Sequence, residues 1–248
     1  MRILTINPNT NISFNKALEK TAEKYALSTT TVKVISPDSG PQSIEGSYDE
    51  ALSVTATVKT FLEHQTDYDG FIIACYSDHL STYAIREITE KPVIGIAEAS
   101  VMVACTLGDR FSIVTTNDRW KPLLREAVEK YGVRSRCASV RTTGMSVAAL
   151  KEESEEVVRE KIEREALAAI EKDGAEVICL GCAGMTGFDK ELEKKTGVPV
   201  LDGFVCALKL IELYHQYGIT HSKRRRYSAP LGKKLKGFSE IFLSACKK

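Results

Sequence analysis

Short runs of β-branched and apolar residues alternate along nearly the whole chain with longer stretches of three- and four-residue apolar spacing, and this alternation limits the fold more than any other feature. Strands separated by helix-length crossovers are βαβ units, which build parallel sheets. The strand-like runs fall into two sets of four: residues 2–7, 31–36, 70–75 and 93–96, then 110–115, 136–141, 175–181 and 198–201. Helical spacing marks 13–26, 49–64, 119–131, 154–172 and 203–217 between them. Cys182 follows Cys75 by 107 residues, and Pro199 follows Pro92 by the same 107. A shared offset at two landmarks argues for an internal repeat. The expectation is an α/β protein of two similar domains related by a pseudo-two-fold, each a four-stranded parallel sheet flanked by helices, with the active site in the interdomain cleft. The expected boundaries are 1–97 with about 203–248 for the first domain and 98–202 for the second.

In open parallel sheets, ligands bind beyond the carboxyl ends of the strands. Two cysteines fall at that position, one per half: Cys75 in Ile73-Ala74-Cys75-Tyr76-Ser77-Asp78 and Cys182 in Leu180-Gly181-Cys182-Ala183-Gly184-Met185. Each closes an apolar run and opens a small, polar turn. A thiol at the start of the next helix would feel the positive end of the helix dipole, which favours thiolate. Two thiols facing one cleft suit a paired acid and base. The alternative for each is a buried small hydrophobe. The turns after the first strand of each half, Asn7-Pro8-Asn9-Thr10 and Thr115-Thr116-Asn117-Asp118, are rich in capping residues able to hold carbonyl or anionic oxygens. The loop Gly40-Pro41-Gln42-Ser43-Ile44-Glu45-Gly46 suits a shaped cleft edge, and Glu45, Asp78 and His79 are polar residues near the same end.

Other readings are narrower. No run reaches the roughly 18 apolar residues of a membrane span, and strand-like sequence begins at residue 2, so a cytoplasmic protein without a leader is expected. The seven cysteines lack disulfide-scaffold spacing. Cys179-Leu180-Gly181-Cys182 resembles a redox or zinc pair, but Cys179 lies inside a strand-like run, residues three apart on a strand face opposite ways, and no second ligand pair has the right spacing. Cys105, Cys137, Cys206 and Cys246 read as small core or surface residues. No dinucleotide fingerprint or phosphate loop is present, so no cofactor and no metal is expected. Residues 219–248 hold nine of the chain's 34 Lys and Arg but one of its 33 Asp and Glu, centred on Lys223-Arg224-Arg225-Arg226. A nucleic-acid or anionic-lipid arm is one reading of that asymmetry. A solvated segment packing on an acidic body is the expectation, because no aromatic-interleaved basic surface continues into the rest of the chain.

The segments Asn7-Pro8-Asn9-Thr10, Ser43-Ile44-Glu45-Gly46, Ala74-Cys75-Tyr76-Ser77-Asp78, Gly95-Ile96-Ala97-Glu98-Ala99 and Leu180-Gly181-Cys182-Ala183-Gly184-Met185, in this order, resemble the hydantoin racemase branch of the aspartate/glutamate racemase superfamily. Ser222-Lys223 to Tyr227 and Pro230 are similar to the branch's C-terminal pattern. The resemblance spans nearly the whole chain. It implies cofactor-independent racemisation with Cys75 and Cys182 as the acid/base pair. Asn7, Ile44, Ser77, Asp78, His79, Thr115, Thr116, Ala183 and Gly184 are then the expected substrate contacts. His79 stands where the family more often has a small residue, which leaves the pocket for the ring substituent open.

The implied substrate is a 5-monosubstituted hydantoin, whose C5 proton is acidified by the C4 carbonyl. Allantoin has the same ring, with a polar ureido group that His79 could bind. Aspartate or glutamate would need a grip on an α-carboxylate, and cysteine motifs that continue differently from Cys75-Tyr76-Ser77 and Cys182-Ala183-Gly184. A non-catalytic small-molecule binder is the alternative of another class. The expected partner is a small cyclic ureide and a second copy of the chain in a homo-oligomer, with no nucleic acid and no membrane.

Overall fold

The computed structural model describes residues 1–243, so Cys246 and the last two lysines lie outside the described residues. Strands β1 (Arg2–Ile6), β2 (Thr31–Ile35), β3 (Gly70–Ile73) and β4 (Val93–Gly95) form one sheet in the order β2-β1-β3-β4. Strands β5 (Phe111–Thr115), β6 (Cys137–Thr142), β7 (Val177–Leu180) and β8 (Val200–Asp202) form a second in the order β6-β5-β7-β8. Every pairing is parallel, and the register repeats, with Ile3 opposite Gly70 in the first sheet and Phe111 opposite Val177 in the second. The expected two-sheet architecture is the observed one. The strands β3 and β7 are buried throughout, which is why they read as unbroken apolar runs rather than as alternations.

Helices α1 (Asn15–Tyr25), α2 (Ser47–His64), α3 (Leu80–Ile88) and α4 (Ile96–Ala104) belong to the first half of the chain. Helices α5 (Trp120–Lys130), α6 (Ala149–Glu152), α7 (Glu155–Asp173), α8 (Asp189–Thr196) and α9 (Gly203–Tyr217) belong to the second. The apolar spacing marked α1, α2, α5, α7 and α9 and passed over α3, α4, α6 and α8. All four are nine residues or fewer, too brief for periodicity to stand out. The exception in character is α4, where Ile96, Ala97, Ala99, Ser100, Val101 and Ala104 are all buried and no polar face breaks the pattern.

The two halves are joined by an exchange. Helix α4 leaves the first sheet and packs against β7 and β8 of the second, while α9 leaves the second sheet and packs against β3 and β4 of the first. The two helices also pack on each other, and at their crossing a Cβ on Gly203 would lie 2.8 Å from the Ile96 carbonyl oxygen. One core therefore runs through both halves: Ile3, Ile72, Ile94, Ile113, Val177, Phe204 and Leu208 belong to the same apolar cluster. Separate clusters fill the outer faces, with Phe61 and Ile85 against the first sheet and Val158, Ile162 and Ala166 against the second.

The basic segment after α9 folds back onto the first half. Lys223 Nζ donates to the carbonyls of Arg86, Glu87 and Thr89 at 2.7, 2.9 and 3.0 Å, satisfying the open C-terminal end of α3. His221 Nε2 accepts from the Val93 amide at 2.7 Å. The buried Arg86 guanidinium forms a two-bond pair with Glu98, closest at 2.5 Å, and also reaches the Tyr227 hydroxyl. Arg226 lies over the Tyr83 ring at 4.8 Å. Part of the charge that stood out in the sequence is thus engaged with α3 and its neighbours. Among the described residues no helix is long and apolar enough to cross a membrane.

Gly203→Ala should lower stability by about 1–3 kcal/mol, because the opposing atom is a backbone oxygen that cannot swing aside. Urea midpoints of the two proteins check this, and equal midpoints would show that the α4–α9 crossing has slack.

Candidate active site

The carboxyl ends of both sheets face one cavity, which with the solvent at its mouth encloses about 490 Å³ of empty space. Each half contributes the turn after its first strand and the turn after its third. From the first half come Asn7 and Asn9 after β1 and Ala74 to Ser77 after β3; from the second come Thr116 after β5 and Gly181 to Gly184 after β7. Ile44, from the loop before α2, and Val147, before α6, close the sides. Two aromatic rings complete the wall, Phe14 just before α1 and Trp120 at the first position of α5. These rings occupy related positions in the two halves.

Of the residues expected at the site, Asn7, Ile44, Cys75, Ser77, Thr116, Cys182, Ala183 and Gly184 line this cavity. Asn7 does so with its amide already engaged: Nδ2 donates to Asn15 Oδ1 at 3.0 Å and Oδ1 accepts from Asn9 Nδ2 at 2.8 Å. It shapes the turn from within. Thr116 is the opposite case. Its side chain is 1% exposed, and among the described residues its hydroxyl has no hydrogen-bond partner. A buried, unpaired hydroxyl costs about 1–3 kcal/mol, and the hydroxyls of Thr5 and Thr82, outside the cavity lining, are in the same state.

Thr115, Asp78 and His79 are not among the residues lining the cavity. Thr115 faces the interior, where its hydroxyl donates to the Gly181 carbonyl at 2.7 Å. Next to it Gly181 has no room for a Cβ, which would meet Ile113, Thr115 and the Val114 carbonyl within 3.0 Å. His79 is 1% exposed, with Nε2 at 2.7 Å from Ser53 Oγ and Nδ1 at 2.7 Å from Ser81 Oγ, and Nδ1 also caps α3. Burial pushes its imidazole down to about 3, so it is a neutral cap and packing group. In this structure it is packed behind the cavity wall rather than lining it.

Asp78 adopts a left-handed φ of 57° and reaches across the cleft. Its Oδ2 accepts from Lys130 Nζ at 2.6 Å, while Oδ1 accepts from the hydroxyls of Tyr83 at 2.6 Å and Tyr131 at 2.5 Å. Lys130 and Tyr131 end α5, so this carboxylate ties the two halves together. Glu45 does the same on another side. Its Oε1 accepts from the Val147 amide at 2.8 Å, and its Oε2 accepts from Asn117 Nδ2. The sequence placed both carboxylates near the cleft, and their role as cross-cleft ties was decided by residues far off in the chain.

The two thiols are held differently. Cys75 Sγ donates to Ser77 Oγ at 3.3 Å. Cys182 Sγ accepts from the Gly184 amide at 3.4 Å and caps a three-residue turn, Ala183–Met185. The expectation that helix starts would favour thiolate is overturned. Helix α3 begins only at Leu80, five residues after Cys75, and the turn after Cys182 is too short for an appreciable dipole. Burial pushes the Cys75 thiol up to about 11, against the pull of Ser77. Burial likewise pushes Cys182 up to about 12, against the Gly184 amide and with a smaller contribution from Cys75 itself. Cys179, three residues before Cys182, is fully buried on the other side of β7, with its thiol directed to the Ser100 carbonyl at 3.8 Å. The six cysteines among the described residues are all free.

Comparison with known proteins bears directly on this arrangement. The sequence model of the Asp/Glu/Hydantoin racemase family matches residues 3–211. A hydantoin racemase of Pseudomonas sp. (strain NS671) is 41% identical over 98% of this chain and 97% of its own length. Among solved structures, the allantoin racemase of Pseudomonas fluorescens superposes with a TM-score of 0.92 at 37% identity, covering 96% of this chain and all of that one. The allantoin racemase of Klebsiella pneumoniae gives the same TM-score of 0.92 at 33% identity, covering 99% of both chains. A two-sheet α/β enzyme with its cavity at the strand ends is thereby placed among the racemases, a class of isomerase. The chain belongs to the Asp/Glu/Hydantoin racemase family.

The raised thiols carry a sign that can be measured. An unfolded chain releases thiol protons from about pH 8.5, whereas the folded protein holds those of Cys75 and Cys182 until about 11 and 12. Over that window the unfolded state binds fewer protons, so stability should fall as pH rises from about 9. Denaturation midpoints at pH 8 and pH 10 should differ less in a Cys75→Ala, Cys182→Ala protein than in the parent; an equal loss would show that these thiols are not raised.

Proposed function

We propose that this racemase inverts C5 of 5-monosubstituted hydantoins by proton transfer between Cys75 and Cys182. The carrying observation is that one thiol from each half faces the same cavity, between walls that a flat five-membered ring could lie across. One cysteine as thiolate removes the C5 proton, and the electron pair left behind is held as an enolate on the C4 oxygen. The other cysteine, as thiol, returns a proton to the opposite face. Each gives up or gains one proton, so the pair ends with its protonation exchanged.

The surroundings suit that chemistry. Thr116 Oγ1, with its unmet hydrogen-bonding capacity, meets a ring carbonyl or N–H. The amide of Gly184 donates to Cys182 Sγ, where it stabilises thiolate as it forms. None of the described residues lining the cavity is Lys, Arg or His, which favours an uncharged ring over an α-carboxylate. Phe14, Ile44, Trp120 and Val147 give the ring substituent an apolar wall, which favours amino-acid-derived hydantoins. The second reading is allantoin. It is favoured by the likeness to the two allantoin racemase structures, and the same cysteine pair would serve it.

The free thiols suit a reducing compartment, so the reading includes a cytoplasmic enzyme. It also includes a homo-oligomer, because Tyr48 and Leu52 on α2 and Leu80 on α3 are each more than half exposed.

Cys75→Ala and Cys182→Ala should each lose at least about a thousandfold in racemisation of both enantiomers, while each keeps deuterium exchange at C5 for one enantiomer only. Polarimetry and proton NMR in D2O read both. Near-normal racemisation by either variant would end the two-thiol assignment. Polarimetry against allantoin and a panel of 5-alkyl and 5-aryl hydantoins separates the two substrates. Thr116→Val should lower kcat/KM about tenfold, the loss of about 1.4 kcal/mol of substrate hydrogen bonding, yet leave stability equal or slightly raised. A drop in stability with unchanged kcat/KM would make Thr116 a structural residue.

A further inference from the structure

Inversion by two thiols asks more of a protein than proton exchange by one. The thiol that returns a proton must already lie against the opposite face of the ring, and a misplacement of about 1 Å in such an arrangement costs up to about a hundredfold in rate. Cys75 and Cys182 come from different halves of the chain, so their spacing is set by whatever joins the turn after β3 to the end of β7.

One buried residue touches both. Tyr76, the residue after Cys75, sends its side chain into the shared core, where its hydroxyl lies 2.7 Å from Ser100 Oγ on α4. The Ser100 hydroxyl donates to the Ala97 carbonyl at 3.1 Å, which commits its one proton, so Tyr76 is the donor in the pair. The Ser100 carbonyl in turn accepts from the thiol of Cys179 at 3.8 Å, on the strand that leads to Cys182. Ser100 and Cys179 are fully buried, and Tyr76 nearly so. Helix α4 is the one that leaves the first sheet to pack on the second, and at Ser100 it is held from both sides.

The fold does not require this bridge. The 107-residue offset that relates Cys75 to Cys182, and the starts of α4 and α9 at Ile96 and Gly203, also relates Tyr76 to Ala183 and Ser100 to Ala207. Ala207 is fully buried on α9. The second half thus makes the same crossing with two alanines where the first has a tyrosine and a serine. Apolar contacts hold a helix on a sheet without fixing its position finely, because they are non-directional. A buried hydrogen bond admits one register, since a slip leaves a desolvated donor without a partner.

We propose that Ser100 is a positioning residue that sets the spacing of Cys75 and Cys182, holding the Tyr76 hydroxyl on its side chain and the Cys179 thiol on its carbonyl. It is not among the residues lining the cavity and carries no proton of the reaction. Through Tyr76 it fixes the turn that bears Cys75, and through Cys179 it fixes the strand that delivers Cys182. Both thiols then reach the same ring carbon from opposite faces.

The inference rests on the two-thiol reading, and the placement of deuterium keeps the two separable. In D2O an enzyme with its thiols in register puts deuterium into the inverted product. A thiol whose opposite number is out of register still removes the C5 proton and returns deuterium to the same face, so deuterium enters the enantiomer that has not inverted. Tyr76→Phe keeps the ring and leaves the Ser100 proton on the Ala97 carbonyl; Tyr76→Phe with Ser100→Ala removes both hydroxyls and orphans neither, so urea midpoints should stay near the parent's. With a 5-alkyl hydantoin, or with allantoin where polarimetry finds that substrate, both variants should lose about tenfold in kcat for inversion with KM nearly unchanged. Deuterium in the uninverted enantiomer, read by chiral chromatography and mass spectrometry, should rise at least about threefold relative to inversion. Exchange and inversion falling in parallel, or neither changing, would overturn the spacing role, and a parallel fall with a lower urea midpoint would make the bridge purely structural. If Cys75→Ala or Cys182→Ala still racemises, the two-thiol reading falls first. If both are inactive and the isotope ratio does not move in the Tyr76 and Ser100 variants, the spacing role alone fails.

Discussion

The close crossing of α4 and α9 is the constraint on which the rest depends. A four-stranded parallel sheet must cover both faces, and a half of this chain that kept all its helices could do so alone. Instead each half sends the helix after its fourth strand to the other sheet, and the two helices meet at Gly203 and the Ile96 carbonyl, where only a hydrogen fits. The inner core is then shared, and the sheets cannot separate without exposing it. With the sheets so fixed, the turns after β3 and β7 are brought to a common cavity.

Polar ties refine what the core sets. Asp78 and Glu45 both belong to the first half, and both place carboxylate oxygens on donors of the second: Lys130 and Tyr131 in one case, Asn117 and the Val147 amide in the other. Such ties are worth little each where solvent reaches them. Their value lies in direction, since they hold the edges of the cavity in register around groups that must meet opposite faces of one small ring. The same enclosure that positions the thiols also raises them, so the site gains alignment and loses ready thiolate. The Gly184 amide works against that loss at Cys182.

The legible part of the site was the part that follows strand ends. Cys75, Cys182, Ser77, Thr116, Ala183 and Gly184 were found because a sharp change from apolar to small residues marks where a buried parallel strand leaves the sheet. His79, Asp78 and Thr115 failed the same reasoning at single-residue resolution. Adjacent residues in a turn point in different directions, and no spacing rule says which one faces the cavity. Phe14, Trp120 and Val147 were missed because apolar side chains carry no chemical signature and read as core.

By itself, then, the sequence determined the repeating βαβ order, the two parallel sheets, the pairing of the two cysteines by a 107-residue offset and the family. These follow from local periodicity and from identity at ordered motifs, both of which are written along the chain. Only the tertiary structure decided that α4 and α9 change partners, that the thiols are raised rather than lowered, that His79 is packed behind the cavity wall and that the basic segment packs on α3. Those outcomes depend on desolvation and on contacts between residues more than a hundred positions apart, and neither quantity has a value until the chain is folded.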